Sequence, residues 1–168
     1  MGIAGLRASV FGIALLAPST ALSADDQSEY AINGKHFDAL DQPTYQIATD
    51  GKPDWYTATG FHAYHETCNS CHGPKGAGSP YGSALTETVK TLRYFDFMDT
   101  VVNGQVILSS GQTRVMPAFG TNPKVMCRLD AIYVYLRAEA AGLLDESALE
   151  HAVANPAAQA DLERCLSE

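Results

Sequence analysis

The residues Cys68-Asn69-Ser70-Cys71-His72 set two thiols three positions apart, with an imidazole directly after the second. That spacing suits a porphyrin. Two thioether bonds fix the ring on one short turn, and the histidine that follows lies under its iron with almost no freedom to leave. Paired thiols have two other common uses. A zinc site needs a second ligand pair, and a redox dithiol belongs in a βαβ setting. The following Gly73-Pro74-Lys75-Gly76 suits neither.

Forty-four residues beyond His72 stands Met116-Pro117-Ala118-Phe119-Gly120. The proline disfavours the helical region for Met116 and presses it into extended backbone, from which a thioether can reach the open face of the iron. A soft sulfur opposite an imidazole favours ferrous iron and raises the reduction potential. The commoner use of methionine is to fill core gaps. Met98 and Met126, both in helical patterns, fit that use better, whereas Met116, on its loop, reads as the sixth ligand. Arg114 is either a partner for a haem propionate or a solvated side chain. His62 and His65 read as surface groups with no assigned chemistry.

The elements that must hold these groups follow from periodicity and punctuation. Residues 1–23 read as a secretory signal peptide: Arg7, a ten-residue apolar run from Ala8 to Ala17, then small residues, with cleavage acceptable after Ala21 or Ser23. A retained membrane anchor asks for about 18 or more apolar residues. Residues 24–53 are polar and rich in turn signals, with Tyr30, Phe37, Tyr45 and Ile47 able to lay an arm across the domain surface. A helix starts near Asp54 or Thr57 and ends at the paired thiols, with Gly60, Tyr64 and Cys68 on one face. The glycine-rich stretch 73–82 reads as loop, and its Pro80 carbonyl is the predicted acceptor for the second ring nitrogen of His72. Leu92 to Asn103 reads as a helix stopped by Gly104, and 105–123 as an irregular loop carrying Met116. Leu129, Ile132, Tyr133, Leu136 and Ala140 mark an amphipathic helix packing one face inward. The domain is thus assigned to 54–141. Residues 142–168 form an extension, with Asn155-Pro156 as cap and first residue of a terminal helix.

Composition agrees with one small, mainly α domain: 168 residues, 46% hydrophobic, can build one core. The formal net charge is −8, and loss of the signal removes Arg7 and leaves −9. Nucleic acid is excluded as a natural partner. Acidity of one sign steers encounter with a complementary face, in a manner weakened by salt. Beyond the paired thiols, Cys127 and Cys165 are an even remainder in a chain with an export signal. A bridge between them would close a loop of 38 residues, worth roughly 4 kcal/mol by chain entropy. The alternative is two separate buried thiols.

Taken together, these residues resemble a class I cytochrome c. In that family a glycine and an aromatic stand eight and four positions before the first haem cysteine, as Gly60 and Tyr64 do here. Tyr135-Leu136 is similar to the aromatic-leucine pair of the family's last helix, and Met116-Pro117-Ala118-Phe119 to its methionine loop. Asp50-Gly51-Lys52-Pro53-Asp54-Trp55, Gly78-Ser79, Val115 to Gly120 and the second cysteine pair resemble the four-cysteine c-type cytochromes associated with methanol metabolism in methylotrophic bacteria, and more distantly cytochrome c-L. The extension after Gly142 departs from a minimal domain of this class.

The resemblance implies helices and loops wrapped around one covalent haem c, with Cys68 and Cys71 attached and His72 and Met116 on the iron. It implies a periplasmic, monomeric one-electron carrier with no catalytic residues and no stable membrane insertion. Its donor would be a quinoprotein methanol or alcohol dehydrogenase, and its acceptor a cytochrome or oxidase of the respiratory chain. Rival readings are a small haem peroxidase or oxidase subunit, which needs an open sixth position, and a haem-based gas or redox sensor, in which Met116 is displaced.

Overall fold

The computed structural model describes Met1, residues 28–109 and residues 112–168. Apart from Met1, the expected signal peptide lies outside the described residues, as does the start of the arm. Among the described residues no helix is long and apolar enough to cross a membrane.

The centre of the molecule is a crossing of two helices, α1 (Trp55–Thr67) and α6 (Leu129–Ala140). Gly60 makes the crossing possible. A Cβ there would lie 1.9 Å from the Ala131 carbonyl oxygen and 2.8 Å from the Tyr135 Cβ, so the two backbones touch where any side chain would hold them apart. The start of α1 is fixed by Asp54, which accepts from the Thr57 amide at 3.1 Å and the Thr57 hydroxyl at 2.6 Å. Such a cap satisfies amides that the first turn leaves orphaned.

The amphipathic pattern predicted for α6 is exceeded. From Ala131 to Ala138 every residue is buried, Arg137 included. The cause is the N-terminal arm, which covers the face the pattern leaves to water. The arm folds as a small antiparallel sheet, β1 (Tyr30–Ile32), β2 (Lys35–Phe37) and β3 (Pro43–Thr44), paired in that order. Tyr45 seals Val134 and Ala138 in a second apolar cluster, with Ile47, Tyr56 and Leu144 at its edge. Asp38 and Arg137 close this contact as a fully buried pair, Nη1 to Oδ2 at 2.8 Å. Asp38 also accepts from the Leu40 and Gln42 amides, and Arg137 donates to the Pro43 carbonyl. A buried pair survives desolvation only when its remaining hydrogen-bond capacity is satisfied in this way.

Between the crossing helices the chain forms α2 (Asn69–His72), a 3₁₀ turn (Pro74–Gly76), α3 (Leu85–Thr88) and α4 (Tyr94–Asn103). The helix expected from Leu92 begins at Tyr94, where the Gln42 side chain of the arm accepts from the Tyr94 amide at 2.9 Å.

The stretch 105–123, predicted as irregular loop, contains a hairpin instead. Strands β4 (Gln105–Ser109) and β5 (Gln112–Met116) pair antiparallel, with Gln105 opposite Met116 and Ile107 opposite Arg114. Val106-Ile107-Leu108 carries no polar alternation, which hid the strand. The alternation lies in β5, where Arg114 and Met116 are half-buried and Thr113 and Val115 exposed.

The chain ends in α5 (Pro123–Met126), α6, a 3₁₀ turn (Glu146–His151) and α7 (Pro156–Ser167). Asn155 caps α7 by accepting from the Ala158 amide at 3.1 Å, with Pro156 as the first helical residue. Cys127 and Cys165 form a disulfide, Cα atoms 5.8 Å apart, tying α7 to the end of α5. Two further bonds hold the extension to the arm side: Val153 amide to Pro53 carbonyl, and Asn155 Nδ2 to Asn33 carbonyl.

Candidate functional site

Helix α1 runs almost directly into α2, so the two thiols and the imidazole share one helical turn. The Cys71 and His72 amides both donate to the Cys68 carbonyl, at 3.1 and 2.9 Å. The turn ends at Gly73, whose φ of 73° suits only glycine. Its amide donates to the Asn69 carbonyl, and its own carbonyl accepts from the buried Tyr64 hydroxyl at 2.5 Å. Burial pushes the Tyr64 phenol up to about 12, which keeps it a neutral donor.

Cys68 and Cys71 are unbridged, the first half-buried and the second exposed. Burial, and secondarily the neighbouring Cys71, pushes the Cys68 thiol up to about 11. A reactive thiol favours the opposite shift, so Cys68 is not poised as the nucleophile of a redox pair. The zinc reading lacks partners: among the described residues no three His, Cys, Asp or Glu side chains converge on a metal position.

His72 is oriented from behind. Its Nδ1 lies 2.9 Å from the Ser83 carbonyl oxygen, which can only accept, so Nδ1 carries the proton and Nε2 presents its lone pair outward. The sequence predicts the Pro80 carbonyl as acceptor, and the structure moves the role three residues on. The reason is Gly82, where a Cβ would sit 2.9 Å from His72 Nδ1 and 2.8 Å from the Cys71 oxygen. Only a residue without a side chain lets that turn close on the ring. The turn is held by the Ser79 amide donating to the Gly82 carbonyl and the Ser79 hydroxyl donating to the Cys71 carbonyl.

Met116 closes the hairpin on its inner face. It packs against the same cluster of buried residues as Cys68, a cluster containing Phe97, Val101, Tyr133 and Leu136. The hairpin base is fixed to α4. A Cβ at Gly104 would lie 2.6 Å from the Met116 oxygen, and the Phe119 and Gly120 amides donate to the Val101 and Val102 carbonyls. Two positions back on the same inner face, Arg114 Nε is buried and has no hydrogen-bond partner. An orphaned guanidinium nitrogen beside a soft sulfur fits a group that offers both a metal and carboxylates. His62 and His65 are exposed on α1, and His65 Nδ1 lies 2.9 Å from its own helix's Phe61 carbonyl. Two cavities among the described residues, of about 310 and 570 Å³, are lined by none of Cys68, Cys71, His72 and Met116.

Known proteins resemble this chain. Residues 56–136 match the family model described as cytochrome c oxidase, cbb3-type, subunit III. The chain is 31% identical over 98 residues to cytochrome c-555 of Methylococcus capsulatus, covering 58% of this chain and 73% of that protein. The chain belongs to the c-type cytochromes. Membership carries a covalently bound haem c, and the two thiols, the imidazole with its free Nε2 and the orphaned Arg114 fit that group. The chain is also 42% identical over 118 residues to cytochrome c-553I of Paracoccus denitrificans, 70% of this chain and about half (52%) of that protein's length. Its fold is similar to the crystal structure of the c-type cytochrome XoxG from Methylobacterium extorquens AM1, at a TM-score of 0.72 and 36% identity, covering 84% of this chain and 87% of that one.

Proposed function

We propose that this c-type cytochrome is a periplasmic one-electron carrier whose haem is bonded to Cys68 and Cys71 and ligated by His72 and Met116. When bound, the haem supplies an Fe(III)/Fe(II) couple. The observation that carries the reading is the His72 ring, held through Nδ1 at 2.9 Å by the Ser83 carbonyl and offering Nε2 from the turn that bears both thiols. The Nδ1 bond makes the imidazole a better donor and removes its freedom to rotate. Met116 supplies a soft sulfur from a strand end pinned to α4, so the metal charge can change with little movement of either ligand. Arg114 gives a carboxylate on the same side a charged partner. Gly82 and Gly104 keep the backbone close to each ligand.

The proposed donor is a quinoprotein methanol or alcohol dehydrogenase, and the acceptor a cytochrome or oxidase. The motifs shared with four-cysteine methylotroph cytochromes and the likeness to XoxG support that reading. The peroxidase and sensor readings need distal acid–base groups or a labile sixth ligand. The two histidines of α1 lie exposed on the helix leading into the motif, which favours the carrier.

Replacement of Met116 by alanine tests the ligand set. The account expects a six-coordinate, low-spin spectrum in the unaltered protein and no carbon monoxide binding at neutral pH. Met116→Ala should open the iron to carbon monoxide and lower the potential; an unchanged spectrum and potential would remove Met116 from the site. For the donor, stopped-flow mixing of the oxidised protein with a purified quinoprotein dehydrogenase and its alcohol should give rapid, salt-sensitive reduction. A rate no greater than that of an unrelated acidic cytochrome would remove the donor assignment.

A further inference from the structure

Helix α6 carries two neighbouring polar atoms that packing covers. The Tyr135 hydroxyl and Glu139 Oε1 are both shielded from solvent and face one another, with no other well-placed hydrogen-bond partner for either atom. They are four residues apart on α6 and therefore share one face. That face is turned toward the attachment turn. The Tyr135 ring lies 5.4 Å from the Tyr64 ring, and the Tyr64 hydroxyl reaches the carbonyl of Gly73, the residue after His72.

The groups facing Glu139 come from four elements: Tyr135 on α6, Tyr64 and His65 on α1, Lys75 on the 3₁₀ turn that follows α2, and Glu146 on the later 3₁₀ turn. Lys75 already pairs with Glu146 at 3.1 Å, so it neutralises one carboxylate while a second stands nearby. Burial, the largest cause, raises the Glu139 carboxyl above its ordinary range; Lys75 and Tyr135 oppose it, and Glu146 adds to it. A carboxylate so placed is easily tipped by one further negative charge.

We propose that Glu139 is a redox-linked proton site, binding one proton from solvent when the protein accepts an electron and releasing it on oxidation. The inference rests on the haem assignment made above. The balance is simple: the donor protein supplies one electron, the metal charge falls by one, and the Glu139 carboxylate takes one proton to become the neutral acid. No covalent bond other than that O–H forms or breaks. The negative charge added at the metal disfavours a second, poorly solvated negative charge at Glu139, so its proton affinity is higher in the reduced protein. The carrier then moves a proton with its electron over a window of pH set by Glu139, and its potential depends on pH within that window.

The test is potentiometric titration of the haem-loaded protein from acid to mildly alkaline pH. For a one-electron couple, each tenfold fall in proton concentration lowers the potential by up to about 59 mV where one proton is linked. The expected result is a sloping segment in the unaltered protein and its loss in Glu139→Gln, with the visible spectrum the same in both. Lys75→Gln removes the cation that favours the carboxylate and should move the sloping segment to higher pH. Redox difference infrared spectra provide a second readout, a protonated-carboxyl band that appears on reduction and is missing in Glu139→Gln. An equal slope in the unaltered protein and Glu139→Gln, or a flat profile in both, overturns the proposal while leaving the haem assignment standing. A protein without haem would instead overturn the assignment itself.

Discussion

The two sides of the site are built differently. On one side the thiols and the imidazole sit on a turn continuous with α1, which meets α6 backbone against backbone at Gly60, and α6 is locked in turn by the arm through Asp38 and Arg137. On the other side Met116 ends a two-stranded hairpin fastened to α4 at its base, and the hairpin's outer face leaves Val106, Leu108 and Val115 63%, 78% and 64% exposed. On the ligand set proposed above, the groups that would hold the haem sit where little can move, whereas Met116 sits on an element that can vary without unmaking the fold, so attachment and tuning would be separable.

Substitutions on the two sides should therefore differ in kind. The largest loss is expected at the buried pair. Asp38→Ala removes the carboxylate paired with the buried Arg137 guanidinium, at a cost of about 3–5 kcal/mol in chemical denaturation. Gly60→Ala comes next. Its Cβ would collide with the Ala131 carbonyl, and prising the helices apart should cost about 3 kcal/mol and reduce the yield of haem-bearing protein. Asp54→Ala removes the cap of α1, a loss of about 1–2 kcal/mol in the same assay. On the hairpin, Leu108→Ser should change stability by no more than about 0.5 kcal/mol and leave haem attachment intact. If Leu108→Ser unfolds the protein, or Gly60→Ala is tolerated, the contrast between the two sides is wrong.

Local features of the chain are legible in its sequence. The paired thiols with their histidine, a helix start near Asp54, Asn155-Pro156 at the start of α7, and the even remainder of Cys127 and Cys165 each depend on neighbouring residues or on counting. Features decided by distant contacts are not. The full burial of α6 depends on Asp38, 99 positions before Arg137, and an amphipathic pattern cannot report a cover that arrives from another segment. The β4–β5 hairpin is hidden because both faces of Val106-Ile107-Leu108 are apolar. The acceptor for His72 is displaced to Ser83 by Gly82, whose role shows only once the turn is folded against the ring. Glu139 looks like an ordinary helix-surface residue in sequence; that it stands beside the Tyr135 hydroxyl, shielded from solvent, becomes visible only in the fold.

The central claim is the permanent bonding of a haem to Cys68 and Cys71. It is tested most directly by intact mass and thiol titration of the mature, denatured protein made in a host able to attach c-type haem. The account predicts a polypeptide heavier by one haem with no titratable thiol, since the remaining two cysteines are bridged. A bare polypeptide mass with two free thiols would contradict it.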